Sequence, residues 1–159
     1  RGVNNGDIDF LEDDGVTVGA RFDASTGYLG IGTTTPGFKL DVDGATLSTS
    51  YNETFSTVTS SSGTATIDCE TGNVFSITLS ENTTFTFSNP PTSGTAYGFM
   101  LKLVQDSTAR TVTWPASVDW IAASAPVISV GSGNVDIFVF VTHDGGTTWY
   151  GFLAGDAMA

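Results

Sequence analysis

The amino-acid sequence predicts an all-β protein, and three observations carry this prediction. Helical periodicity is absent, because no stretch of twelve residues spaces its apolar side chains three or four positions apart without a glycine, a proline or a β-branched run. Thr, Val, Ile, Phe, Tyr and Trp alternate instead with polar residues, as in half-buried strands. Turn-forming pairs such as Asp14-Gly15, Thr26-Gly27 and Asp43-Gly44 interrupt these runs. We therefore expect many short strands joined by tight turns.

Composition and charge exclude several classes of protein. The 159 residues include 25 Thr, 16 Ser and 19 Gly, and 17 acidic side chains face 5 basic ones, for a net charge of −12. So few cations argue against nucleic-acid binding and against docking on anionic lipid. No apolar run approaches the roughly 20 residues that span a bilayer, so membrane insertion is not expected. The chain begins at Arg1 rather than Met, which is expected of a piece of a longer polypeptide and equally of a protein trimmed at its terminus.

The first zone, residues 1–44, is predicted to be a β-rich, shaft-like module. Its strand candidates are Ile8–Leu11, Val16–Phe22, Tyr28–Ile31 and Phe38–Val42. Apolar and charged residues alternate strictly from Phe38 to Asp43, which indicates one buried face and one wet face. The zone is too short, and too poor in large side chains, to bury a core alone. We expect it to pack against copies of itself.

The rest of the chain divides into a connector and a main domain. Residues 45–63 are rich in Ser and Thr and are predicted to connect two modules. Residues 64–159 carry short strand candidates at roughly ten-residue spacing: Thr64–Cys69, Val74–Leu79, Thr83–Ser88, Tyr97–Val104, Arg110–Trp114, Pro126–Val130, Val135–Thr142 and Thr147–Leu153. This spacing predicts an antiparallel β-sandwich, jelly-roll-like in its topology.

One predicted strand departs from simple alternation. The segment from Val135 to Val141 is apolar on both faces after Asp136. Such a strand either lies in the centre of a sandwich or lies under a second subunit. Central packing is the commoner case, and both alternatives stay open.

Catalytic patterns are scarce in the sequence. His143 is the only histidine and Cys69 the only cysteine, and no nucleophile motif surrounds any serine. Neighbouring carboxylates could serve a glycosidase, but a wet strand face gives the same pattern. The pairs are Asp7/Asp9, Asp13/Asp14, Asp41/Asp43 and Asp68/Glu70. We expect no enzyme activity, no cofactor and no metal site; the alternative is an enzyme that degrades polysaccharide with paired carboxylates.

Aromatic residues are the best candidates for ligand binding. A flat ring with a polar edge can stack on a sugar, although core packing is the commoner fate of each such residue. Trp120 lies in an irregular stretch between Pro115 and Pro126 and is the one most expected to be exposed. The candidate receptor- or glycan-binding residues are Trp120, Trp149, Tyr150 and Trp114.

Two segments of the sequence resemble phage fibre proteins. Residues 28–44, with the pattern LGIGT-x-x-P-x-x-K-L-D-V-x-G, resemble a segment that recurs in bacteriophage tail fibres and related trimeric virion fibres. The larger part of the chain resembles a β-rich domain near the ends of phage structural proteins. The motifs that carry this second resemblance are Asn89-Pro90-Pro91, Arg110-Thr111-Val112-Thr113-Trp114-Pro115 and Asp144-Gly145-Gly146-Thr147-Thr148-Trp149-Tyr150.

The resemblance implies a position and partners for the chain. Such fibres are homotrimers on the virion surface, where they join other tail proteins. Their last domain caps the fibre or binds a bacterial surface glycan or outer-membrane receptor. A tailspike that cleaves polysaccharide, or a head fibre or adaptor without receptor binding, remains an alternative.

Overall fold

The computed structural model describes residues 6–158, which form two compact units, Arg1–Tyr51 and Asn52–Ala159. We call them unit 1 and unit 2. The all-β prediction is confirmed, because the described residues form thirteen strands and a single 3-10 turn, with no α-helix among them. Within this range no helix has the length and apolar character to cross a membrane. The predicted division at residues 44 and 63 stays a prediction.

Unit 1 is one four-stranded sheet. Its strands are β1 Ile8–Leu11, β2 Val18–Asp23, β3 Tyr28–Ile31 and β4 Leu40–Val42, and they lie in sequence order. The first two pairings are antiparallel, whereas β3 and β4 are parallel. Carboxylates shape the tight turns: Asp14 Oδ1 accepts the Val16 N–H at 2.8 Å, and Asp23 Oδ1 accepts the Ser25 N–H at 2.8 Å. These short side chains bond their own backbone, which is why they are favoured in turns.

Unit 2 contains nine strands in two sheets. They are β5 Phe55–Thr57, β6 Thr64–Asp68, β7 Val74–Thr78, β8 Thr83–Ser88, β9 Tyr97–Val104, β10 Val112–Thr113, β11 Val118–Trp120, β12 Val135–Thr142 and β13 Trp149–Met158. The six-stranded sheet has the order β11-β13-β12-β9-β7-β5, and the three-stranded sheet has the order β10-β8-β6. The 3-10 turn, Ile121–Ala123, follows β11.

The strand directions correct the expectation of an antiparallel sandwich. From β5 to β10 the chain crosses to the other sheet after every strand, so neighbours within a sheet are two strands apart in sequence and run parallel. Only the pairings of β12 with β9 and β13 are antiparallel, and β11 lies parallel to β13. Each round trip through the opposite sheet returns the chain in the same direction, as parallel pairing requires. A jelly-roll topology is not confirmed.

The two sheets of unit 2 share one aromatic core. The Phe87 ring of the three-stranded sheet lies 5.1 Å from Phe99 and 5.2 Å from Trp149 of the six-stranded sheet, both edge to face. Phe85 stacks on Trp114 at 5.1 Å. The buried residues of this hydrophobic core are Ala65, Ile67, Cys69, Phe75, Ile77, Leu79, Phe85, Phe99, Leu101, Leu103, Val118, Phe138, Phe140 and Trp149.

Three strand predictions differ from the structure. Pro126–Val130 is not a strand, because the Ser129 N–H donates to the Asp136 carboxylate at 2.7 Å and so bonds a side chain, not a neighbouring strand. β11 lies inside the stretch expected to be irregular, where Val118 turns into the core. β5 lies inside the predicted connector and pairs with β7.

β12 is a central strand, between β13 and β9. Phe138 and Phe140 point into the core. The other face of the six-stranded sheet carries one continuous apolar row of cross-strand partners, Phe55, Val74, Met100, Val139 and Phe152. We call this set the outer row. The outer face of the three-stranded sheet is polar by contrast, and Thr66 and Thr86 share a hydrogen bond across it.

Candidate functional site

Two of the four predicted binding residues are packed inside unit 2. Trp149 is 1% exposed, and its ring contacts Phe87 and Phe99 edge to face. Trp114 is half-buried and stacks on Phe85. The Trp149 ring therefore offers no face to a ligand, and the Trp114 ring also packs against Phe138 and Phe140.

The other two predicted residues, Trp120 and Tyr150, border a common surface hollow, but the prediction that Trp120 is exposed is wrong: it is half-buried, because its ring packs against Trp114 and Phe140. This hollow has a volume of about 190 Å³. An adjoining hollow of about 140 Å³ shares Trp120 and extends to Ser124 and Pro126. We call the two together the aromatic cleft; its walls are Asp119, Trp120, Ile121, Ser124, Pro126, Tyr150, Gly151, Phe152 and Leu153. Tyr150 is 40% exposed, so its ring and hydroxyl are accessible.

The cleft exists because β11 pairs in parallel with β13. This register places Trp120 opposite Gly151. A Cβ atom on Gly151 would lie 2.7 Å from Cζ3 of Trp120, so the missing side chain is what lets the indole lie against the strand. The indole therefore lies on the core-facing side of β13, the side of Trp149, and not on the outer side with the Tyr150 ring.

A strained turn forms one rim of the cleft. Ala122 and Ala123 have φ values of 55° and 54°, in the left-handed region that disfavours residues with a Cβ. This turn holds Ile121 78% exposed beside Trp120. Strained backbone of this kind is concentrated at ligand sites, where the surrounding fold maintains it.

Sequence reasoning missed seven of the nine residues that line the cleft. Asp119, Ile121 and Phe152 line it, yet none was predicted as a site residue. For Phe152 a signal existed, because alternation from Trp149 places residues 150 and 152 on the same face of the strand. For Asp119 no local signal existed, since its place depends on the pairing of β11 with β13.

The remaining candidates for chemistry are engaged elsewhere. Burial raises the pKa of the Cys69 thiol to about 11, so the thiol stays protonated at neutral pH. His143 is exposed, with its ring 6.0 Å from that of Tyr150. No group of three or more His, Cys, Asp or Glu side chains in residues 6–158 could hold a metal ion.

Hydrogen bonds stabilise the ionised form of several carboxylates. A hydrogen bond from Arg21 lowers the pKa of Asp9, and one from Arg110 lowers the pKa of Asp106. The Arg21 Nε to Asp9 Oδ1 distance is 2.6 Å. The carboxyl groups with lowered pKa values are Asp9, Asp14, Asp23, Asp106 and Asp144.

Unit 1 carries a continuous apolar surface on one side of its sheet. Cross-strand partners form two rows, Ile8-Phe22-Leu29-Leu40 and Phe10-Ala20-Ile31-Val42, which we call the unit 1 apolar face. Successive residues point to opposite faces, and the other side of the sheet holds the ion pair of Asp9 and Arg21. No Val, Leu, Ile, Phe or Tyr side chain among residues 6–51 is fully buried. Residues 6–51 therefore place no apolar layer against this face.

Comparison with known proteins identifies the second unit. The family model described as "Putative phage tail fibre C-terminal domain" matches residues 58–148, more than half of the chain. The chain belongs to this phage tail fibre family. No match was found among curated proteins or among solved structures.

Family membership confirms the resemblance seen in the sequence and locates the protein. The tail fibre domain covers Asn89-Pro90-Pro91 and the segment from Arg110 to Pro115, both of which carried the resemblance. The protein therefore lies on the tail or fibre of a phage virion, in association with other virion proteins. The matched residues include Trp120 of the aromatic cleft, whereas Tyr150 and Phe152 follow them.

Proposed function

We propose that this tail fibre protein is a homotrimer whose unit 1 shares a core with its copies and whose unit 2 binds a receptor on the bacterial surface. The observation that carries the trimer is the unit 1 apolar face. A sheet with one hydrophobic face must bury it against another layer to be stable. Residues 6–51 supply no such layer, and three copies that turn identical apolar faces toward a common axis would supply one to each other.

The outer row of unit 2 supports the same assembly. Five strands spaced about 4.8 Å apart give this row a length of about 19 Å. A single row of side chains of this length covers much less area than the roughly 800 Å² per partner of a standard interface. It would not hold free copies of unit 2 together. Once unit 1 associates, however, neighbouring units are at an effective concentration in the millimolar range, and a second copy is the partner at hand.

The trimer is tested by mass measurement in solution. We expect three chains, and we expect Phe22→Lys to yield monomers because a charge would then enter the shared core. Thr35→Lys adds the same charge at an exposed turn and should remain trimeric. Met100→Lys in the outer row should weaken the trimer, whereas Thr84→Lys on the polar sheet should not. A wild-type monomer at micromolar concentration would refute the proposal.

The aromatic cleft supports receptor binding. It combines the exposed rings of Tyr150 and Phe152 with the Asp119 carboxylate, and sugars are bound by this pairing of flat apolar surface and hydrogen-bond acceptors. We expect Tyr150→Ala to reduce adsorption of the fibre to host cells at least tenfold. Tyr51→Ala removes another exposed tyrosine outside the cleft and serves as the control. Equal adsorption of both variants would favour a fibre or adaptor without receptor binding at this cleft.

We propose further that the fibre is not an enzyme. A glycosidase needs one carboxyl group whose pKa is raised so that it can act as an acid. Each carboxyl group in residues 6–158 with a shifted pKa has it lowered. Incubation with host surface polysaccharide should therefore leave chain length unchanged, and the appearance of shortened chains would establish a tailspike instead.

A further inference from the structure

Unit 2 has a second concave surface that shares no lining residue with the aromatic cleft. It is a groove of about 530 Å³ where both sheets end, since β5 is the last strand of the six-stranded sheet and β6 the last strand of the three-stranded sheet. This volume falls within the range of about 300–1,000 Å³ that ligand pockets occupy. Edge strands also leave one row of backbone N–H and C=O groups unpaired.

Hydroxyl groups dominate the wall of this groove. Seven of its ten lining residues are Ser or Thr, among them Thr57, Thr59 and Thr66. Each hydroxyl both donates and accepts, which matches the hydroxyl groups of a sugar in either direction. The apolar part of the lining is limited to Val58 and Phe75, and Phe75 is buried. An extended peptide would need more apolar surface for its side chains.

The charge of the groove selects against acidic ligands. Asp68 is the single charged residue of the lining. Its Oδ1 accepts hydrogen bonds from the Glu70 N–H and from Asn89 Nδ2, at 3.2 and 3.0 Å, and its Oδ2 has no partner among residues 6–158. An anionic sugar would meet this carboxylate without any cation in the lining to offset it.

We propose that this groove binds a neutral saccharide of the bacterial surface through its hydroxyl groups. The inference rests on the proposed receptor-binding function and adds a site distinct from the aromatic cleft. A single groove of this kind binds weakly, because each neutral hydrogen bond exchanges with water. Three copies on one fibre would raise the apparent affinity through multivalency.

The test compares two matched double variants of the full-length chain on an array of oligosaccharides. Thr57→Val with Thr66→Val removes two hydroxyl groups from the groove. Thr84→Val with Thr86→Val is the control: it also breaks the hydrogen bond of Thr66 with Thr86 but touches no lining residue. The array carries neutral hexose oligosaccharides beside sialylated and uronic-acid oligosaccharides, with a peptide array run in parallel.

We expect the wild type to bind neutral oligosaccharides. The groove variant should bind them about fivefold more weakly for each hydroxyl group removed, and the control variant should bind as the wild type does. No neutral binding by the wild type, equal binding of both double variants, preference for acidic sugars or capture of peptides alone would overturn the proposal. Adsorption to host cells distinguishes failure of the groove proposal from failure of the receptor-binding proposal. Adsorption that survives the groove variant but fails in Tyr150→Ala refutes the groove and keeps receptor binding, whereas a wild type that never adsorbs refutes both.

Discussion

Unit 1 and unit 2 apply the same alternation of apolar and polar residues with opposite results. In unit 2, Phe138 and Phe140 on β12 meet a second sheet and become fully buried. In unit 1, Phe22 and Leu40 follow the same alternation, yet residues 6–51 form no second layer on their sheet and both side chains stay exposed. A strand pattern therefore specifies which face is apolar but not what covers it. Unit 2 covers its apolar face with its own second sheet, whereas in the proposed trimer the unit 1 apolar face is covered by other copies.

The largest expected effect is the loss of unit 1 structure when its apolar face is disrupted. Phe22→Lys should reduce hydrogen-exchange protection of the β2 and β3 amides to the level of an unfolded chain, because the sheet then has no layer to pack against. Amides of β9 and β12 should keep their protection. Monomeric Phe22→Lys with a protected unit 1 would show that this sheet is stable alone.

A core truncation should have the converse effect and act on unit 2. Phe140 is 0% exposed, with Phe99 and Phe87 at 5.0 and 5.1 Å between ring centroids. Phe140→Ala should lower the free energy of unfolding by about 3–5 kcal/mol through lost burial and a residual cavity. All three tryptophans lie in unit 2, so Trp fluorescence in denaturant follows this unit.

The neighbouring strand offers a control for this truncation. Phe152 is 45% exposed, and Phe152→Ala should cost about 1 kcal/mol or less in a chain whose outer row is free. Equal losses for the two variants would mean that the aromatic core does not dominate the stability of unit 2.

A smaller effect is expected where the cleft meets the core. Gly151→Ala places a methyl group against the Trp120 ring and should cost about 1–3 kcal/mol, as overpacking does, while shifting the Trp fluorescence. Gly155→Ala on the same strand meets the flexible Met158 thioether at 2.6 Å and should cost less. If Gly151→Ala changed neither the free energy of unfolding nor the Trp fluorescence, the Trp120 indole would be free to move away from the strand.

Local sequence signals predicted much of the fold. Ile8–Leu11 and Tyr28–Ile31 are strands with the predicted bounds, because alternation and flanking turns are both encoded within a few residues. The strand Pro126–Val130 failed, since the carboxylate of Asp136 takes the backbone N–H of Ser129 and no local pattern reveals that partner. Parallel pairing also escaped prediction, because strand direction depends on which sheet the chain visits next.

The candidate site was predictable only in part, for the same reason. Tyr150 and Trp120 lie in one cleft, but nothing near Trp120 in the sequence announces that β11 pairs with β13. Trp149 shows the limit most clearly. It is the immediate neighbour of Tyr150, and strand alternation turns one ring into the core and the other to the surface.

The smallest expected effect is a difference in acid stability between the units. The hydrogen bond from Arg21 lowers the pKa of Asp9 below its usual 3.8, and Arg110 does the same for Asp106 in unit 2. A depressed carboxyl pKa stabilises the folded state above the unfolded pKa and ceases to do so as pH falls through the folded value. Asp9→Asn should therefore weaken unit 1 at neutral pH and flatten its loss of hydrogen-exchange protection below about pH 4.

Asp106→Asn is the matched variant in the other unit, since it removes a carboxylate that is paired with an arginine in the same way. It should reduce the change of Trp fluorescence as the pH falls. The hydrogen-exchange protection of the unit 1 amides should stay unchanged, because each ion pair lies within one unit. If Asp9→Asn altered the acid response of both units equally, they would unfold as one body. The contrast between unit 2, which has its own core, and unit 1, which is proposed to share a core with its copies, would then be wrong.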